Sequence, residues 1–251
     1  MKFKSITSQD NKQVFEISDI NPGYVNSLRR IFSSEVPTMA ITTVEFNVNS
    51  SALYDEIIAH RLGLIALKTD LKTYNMPKED QKPSAATHAT FTLKVQGPKT
   101  VYAKDLIPKD KTIVPVHPNT PIVKLIEGQA LELTATATLG LGKNHSKWDA
   151  SLSTFYYKPR IEVKDNKNVD KYPPAVVKNG KVDKDLINTP QLIDACINVS
   201  EDVVIEYDQP HKDFIFTIES WGQLSPKEIV EAGIKEFDKQ INDFETALKN
   251  I

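Results

Sequence analysis

The chain is poor in residues that carry chemistry. Its 251 residues include a single cysteine, Cys196, which excludes an internal disulfide and any zinc or iron–sulfur site built mainly from thiolates. That usage points to an intracellular, cytoplasmic protein. An excess of positive charge is also missing: 31 Lys and Arg stand against 33 Asp and Glu, for a formal net charge of −2. A free-standing nucleic-acid binder carries a basic excess or stripe, so no direct DNA contact is expected. No apolar run approaches the roughly 18 residues of a membrane-crossing helix. The stretch 1–17 lacks the apolar core of a signal peptide,.

Catalytic motifs are absent too. His60, His88, His117, His145 and His211 are scattered, with no HExxH spacing,. Asp10, Asp19 and Asp55 form no ligand cluster in sequence. There is no GxSxG, and Gly140-Leu141-Gly142-Lys143 lacks the Walker spacing,. What is present is a globular composition, 40% hydrophobic, long enough to bury a core without covalent staples. The residues describe a binding or structural protein, with no catalytic site.

The apolar pattern mixes strands and helices. Val14, Phe15 and Ile17 predict a strand that pairs with residues 3–6. After Asn21-Pro22-Gly23, Tyr24, Leu28, Ile31 and Phe32 share one helical face, and Val36-Pro37 ends that helix. Val44, Phe46 and Val48 alternate as a strand. A second helix over 53–62 places Leu53, Ile57, Ile58 and Leu62 on one face, with Gly63 as its left-handed cap. Residues 68–88 read as a loop. Strands follow at Phe91, Leu93 and Val95, and along 131–139, where Glu132 and Thr134 face the wetter side. The lysine- and proline-rich stretch 158–190 reads as a boundary or a loose subdomain. Apolar runs resume at 203–207 and 214–218. With no regular βαβ alternation, the fold class is α+β.

The last element is the clearest. Ser225-Pro226-Lys227-Glu228 spells a helix start, with an N-cap serine, a proline at the first helical position and a glutamate closing a capping box. Val230, Ile234, Phe237, Ile241, Phe244 and Leu248 then recur at alternating steps of four and three, a heptad seam. Burying six such side chains is worth roughly 9–18 kcal/mol gross. The seam therefore packs on its own domain, on a partner chain, or in part on each.

Five blocks resemble the alpha-like RNA polymerase subunits: residues 26–41 (NSLRRIFSSEVPTMAI), 55–65 (DEIIAHRLGLI), 116–122 (VHPNTPI), 140–148 (GLGKNHSKW) and 216–222 (FTIESWG). That family comprises the bacterial alpha N-terminal domain, the eukaryotic third-largest subunit and their archaeal counterpart, and the short chain fits the archaeal type. The resemblance implies a discontinuous dimerisation domain, 1–45 with 206–251, an inserted β-rich domain over 46–157, and a degenerate ferredoxin-like subdomain, lacking cluster ligands, over 158–205. It implies a non-catalytic assembly platform that pairs with the small L subunit, recruits the small N and P subunits, and docks on the large catalytic subunits. Leu28, Phe32 and the six seam residues would serve dimerisation. Arg29 and Arg30, with His60, Arg61, Lys143, His145, Lys147 and Trp148, would meet a large subunit. Some archaeal relatives carry iron–sulfur clusters or zinc; with only Cys196 available, neither is expected here. A homodimeric alpha-like scaffold and a direct nucleic-acid-binding module are the alternatives.

Overall fold

The computed structural model describes residues 1–78, 83–207 and 212–249; His211 falls outside them. In chain order the elements are β1 (Lys2–Ser8), β2 (Lys12–Ser18), α1 (Pro22–Arg30) continued by a π-helical turn (Ile31–Glu35), β3 (Thr38–Asn49), α2 (Asp55–Gly63), β4 (His88–Gln96), β5 (Lys99–Tyr102), β6 (Ile107–Pro108), β7 (Pro121–Leu125), β8 (Ala130–Gly140), β9 (Ser151–Tyr157), β10 (Arg160–Val163), β11 (Val177–Lys178), β12 (Lys181–Val182), α3 (Pro190–Cys196), β13 (Val203–Glu206), β14 (Phe214–Ser220) and α4 (Pro226–Lys249). The class is α+β. The chain divides into two compact units, one of 1–7, 14–26 and 154–217, the other of 8–13, 27–153 and the chain from Ile218 on.

The first unit holds most of a four-stranded sheet ordered β1-β2-β14-β9. One phenylalanine from each strand forms a ladder across it. The Phe3 and Phe15 rings lie 6.0 Å apart, Phe15 and Phe216 stack at 5.2 Å, and Phe216 and Phe155 stack at 6.3 Å. Such cross-strand aromatic pairs favour one register over a slipped one. The same unit includes the segment 158–206, which has its own small core of Tyr172, Val176, Val182, Ile187, Ile193, Cys196 and Val203. The sequence pattern left α3 unread. Thr189 caps it through its hydroxyl, which accepts from the Leu192 amide at 3.3 Å, and Pro190 opens it.

The second unit is built on a sheet ordered β3-β8-β4-β6 beside the pair β5-β7. Along β8 the odd positions from Leu131 to Leu139 are buried, and Phe91 and Leu93 of β4 join them in the largest core. Ile58 and Leu62 of α2 are fully buried in that core, whereas Ile57 is 47% exposed; this corrects its expected place on the inner face. At 3.6 residues per turn Ile57 lies about 100° round from Ile58, too far for both to enter the sheet. Gly63 closes α2 from within, and the cap is Leu64 in right-handed conformation, so no left-handed residue ends this helix. The polar stretch after α2 is anchored by Tyr74, 4% exposed, whose hydroxyl donates to Asp110 Oδ2 at 2.7 Å.

α4 begins as its sequence predicts. Ser225 Oγ accepts from the Glu228 amide at 3.3 Å, and Glu228 Oε2 accepts from the Ser225 amide at 2.8 Å and its hydroxyl at 2.6 Å. These bonds from Ser225 hold the Glu228 carboxyl below its ordinary value of 4.5. A depressed folded value stabilises the cap above the unfolded value and loses that help as pH falls through the folded one. Acid titration of helicity should therefore show a loss below pH 4.5 that a Glu228→Gln chain lacks. Superimposable titrations of the two chains would contradict the capping role.

Candidate assembly surfaces

α4 has 24 residues and so extends about 36 Å. Its inner face is made by Pro226, Ile229 and Gly233, all buried. The approach there is close: a Cβ on Gly233 would lie 2.5 Å from Phe32 Cδ1 and 3.3 Å from Ile31 Cγ2. The expected contact between the first and last helices is therefore made through Phe32, which is 2% exposed. Leu28 is also buried, at 5%.

The seam itself is rotated off this inner face. Val230 and Phe237 are half-buried, while Ile234, Ile241, Phe244 and Leu248 are 47%, 50%, 66% and 54% exposed. From Ile241 to Lys249 every residue is exposed. The outer half of α4 therefore carries an apolar stripe on a solvated helix.

The second candidate surface surrounds the end of α1. A helix leaves its last carbonyls without intrahelical donors, and here the loop after β8 and the first residue of β9 supply them. The Ser151 hydroxyl donates to Phe32 O at 2.9 Å, the Ala150 amide to Ser33 O at 3.1 Å and the Lys143 amide to Ser34 O at 3.1 Å. Gly142 is required by this approach, since a Cβ there would stand 2.9 Å from Ser34 Cα. Trp148 lies over Gly140, where a Cβ would meet its ring at 2.2 Å, and donates from Nε1 to Thr138 O at 3.2 Å. The turn before α4 joins the same network: the Thr69 amide donates to Gln223 O at 3.0 Å and Gln223 Nε2 to Asp149 O at 3.3 Å. Segments far apart in sequence thus meet within the second unit.

The basic residues expected on this surface divide by how far their side chains are engaged. Lys143 pairs with Glu35 at 2.8 Å. Lys147 donates to Ile41 O at 3.0 Å and sits 4.4 Å over the Trp148 ring, and burial lowers its pKa. Arg61 Nη2 donates to Pro121 O at 2.8 Å. His145 accepts the Lys147 amide at 3.0 Å. Burial raises the Asp149 carboxyl, with His145 opposing. Arg29 is half-buried, and Arg30 and His60 are exposed. Lys143, Lys147 and Arg61 therefore fix the loop and α2 in place, leaving Arg30 and His60 to face outward. One feature escaped the sequence reading: Tyr54, Ile57 and Leu64 are 80%, 47% and 54% exposed. With Arg61 they repeat at steps of three, four and three, a second stripe that the spacing carried.

Among the described residues no group of three or more His, Cys, Asp or Glu gathers as a metal site. Cys196 is buried in the apolar core of the segment 158–206. One thiol among aliphatic side chains does not fit a cluster that takes four ligands. No helix of the described residues is long and apolar enough to cross a membrane.

Comparison with known proteins gives concordant matches. Residues 41–156 match the family described as the RNA polymerase Rpb3/RpoA insert domain. The DNA-directed RNA polymerase subunit Rpo3 of Methanobrevibacter smithii is 32% identical over 267 aligned positions, covering 97% of each chain. That of Thermococcus kodakarensis is 34% identical over 249, covering 94% of this chain and 93% of its own. That of Pyrobaculum neutrophilum is 49% identical over 151, a match spanning 57% of each chain.

Proposed function

The chain belongs to the family of DNA-directed RNA polymerase subunit Rpo3, and from that membership we propose that it is the polymerase's assembly platform, pairing through α4 with a smaller subunit. It works in transcription as a non-catalytic member of the complex. The observation that carries the pairing is the solvated stripe of Ile234, Ile241, Phe244 and Leu248 on a helix whose inner face is already packed. In this reading residues 1–45 and 206–251 form the dimerisation domain, and the stretch 46–157 is an inserted β-rich domain. The segment 158–205 is a ferredoxin-like subdomain that has exchanged cluster ligands for an apolar core. The partner is the small L subunit, with the N and P subunits joining later, in the cytoplasm. The test is the mass in solution of the chain alone and co-expressed with the L subunit. A stable one-to-one complex supports the reading; a lone monomer that ignores the L subunit, or a homodimer, overturns it.

The large subunit would dock on the surface at the end of α1. Arg30 supplies outward positive charge there and His60 an exposed imidazole, and guanidinium groups suit bidentate pairing with carboxylates. Tyr54, Ile57 and Leu64 supply apolar area on α2. Changing Arg29 and Arg30 to alanine should spare pairing with the L subunit. It should weaken docking of the large subunit by about tenfold or more, since a hydrogen bond to a charged group is worth roughly 1.5–3 kcal/mol. Reconstitution of the whole enzyme with unchanged affinity would refute this role.

The donor set supports a chain without iron or zinc. Elemental analysis of the purified protein is expected to find neither at stoichiometric level, and one metal ion per chain would overturn the expectation.

A further inference from the structure

The segment 158–206 carries a groove that the assembly reading does not use. β10 pairs only with β13, from Arg160 opposite Glu206 to Val163 opposite Val203, so its other edge carries no strand among the described residues. β11 and β12 form a tight hairpin, with Val177 opposite Val182. It turns through Asn179 and Gly180 at φ 53° and 71°, the two left-handed residues of a type I′ turn. Between β10 and this hairpin runs an open groove of about 840 Å³, lined by Ile161, Glu162 and Val163 on one side and by Lys178, Lys181 and Lys184 on the other.

Two features identify what would fit. Side chains of a strand alternate between faces, so three consecutive residues line a groove together where the strand turns its edge toward it. The groove is thus bordered by a strand edge with backbone groups to offer. The three lysines are exposed, and their side chains take no ion pair or hydrogen bond among the described residues. Ile161 and Val163 are half-buried and Val182 is buried, which gives the groove an apolar floor. A nucleic-acid backbone matches this poorly. Glu162 and Asp183 also line the groove, so carboxylates spaced on alternate residues can meet the lysines and avoid these two, whereas a continuous run of phosphates cannot, and an apolar floor has nothing to offer phosphates.

We propose that this groove is a strand-addition site for an extended acidic segment of a protein partner. The segment's backbone pairs along the free edge of β10, its apolar residues cover Ile161 and Val163, and its carboxylates meet Lys178, Lys181 and Lys184. Strand addition takes affinity from main-chain hydrogen bonds and specificity from alternate side chains. The site is independent of the pairing through α4 and stands or falls separately.

The experiment uses the full chain and a fluorescein-labelled peptide of alternating glutamate and valine, read by anisotropy. The intact chain should bind it. Changing Lys178, Lys181 and Lys184 to alanine should weaken binding by about tenfold or more, and methylating alternate peptide amides should weaken it as much while leaving the protein untouched. A peptide of alternating lysine and valine should not bind. The proposal fails if the acidic peptide does not bind the intact chain, or if the triple variant or the methylated peptide binds equally well. It fails too if a single-stranded oligonucleotide binds in the peptide's place.

Discussion

Changing Ile241 and Phe244 together to aspartate is expected to abolish pairing with the small subunit while the lone chain melts as before. Both side chains lie on the outer half of α4, 50% and 66% exposed, and every residue from Ile241 to Lys249 is exposed. In the lone chain the change costs little, because no core is entered and a solvated helix face tolerates charge. In the complex each lost apolar side chain removes about 1.5–3 kcal/mol of burial. Two of them amount to roughly two to four powers of ten in affinity. Each aspartate would also leave a charge without a partner in an apolar seam. Size-exclusion chromatography with light scattering, run with and without the small subunit, reads both halves of the claim. If the double variant still forms a one-to-one complex, this half of the helix is not the interface. If instead the lone variant unfolds, the stripe belongs to the chain's own core.

The second large effect is expected at the other end of the same helix. Gly233→Leu should destabilise the chain by about 1–3 kcal/mol, the usual cost of overpacking a filled interface, or roughly 2–4 °C in melting temperature per kcal/mol for a chain of this size. Even a Cβ would stand 2.5 Å from Phe32 Cδ1 and 2.8 Å from Cε1. Phe32 is 2% exposed and cannot swing into solvent, so the clash is met by shifting the ring within the core or the helix as a whole. Lys235→Leu, two residues on and facing solvent, is the control and should leave the melting temperature unchanged. Pairing Gly233→Ala with Phe32→Leu should cost less than the sum of the single changes, because the smaller side chain makes room for the methyl; residues in contact couple in this way. Unchanged melting of Gly233→Leu would mean that the close approach of α4 to the π-helical turn is not made in solution.

Much of this architecture is legible in local sequence. Ser225 to Glu228 announced α4 because a capping box is a local device: its hydrogen bonds join residues three apart. Val36-Pro37 announced the end of the first helix for the same reason, since proline constrains the residue before it. The alternation along β8 was legible because one face of that strand is apolar and the other is not. α3 was missed because seven residues with a polar surround carry too short a period to stand out. The start of β3 at Thr38 was missed because residues 38–41 are buried on both faces, and a strand buried on both sides has no alternation to read.

The candidate surfaces divide in the same way. Sequence alone determined that α4 carries a seam of large apolar residues, that the chain holds a single cysteine, and that its charge is nearly balanced. Each of these is a property of residue type or of spacing within one element. Tertiary structure decided which side of α4 is already taken: Gly233 against Phe32 turns Ile229 inward and leaves Ile241 and Phe244 outside. It also decided which basic residues are occupied, because Lys143 meets Glu35 and Lys147 meets Ile41 O only when the loop after β8 closes on the end of α1. A helix's periodicity states that a stripe exists, but the partner that covers it lies elsewhere in the chain or on another one. That choice depends on contacts between distant segments, which no local pattern encodes.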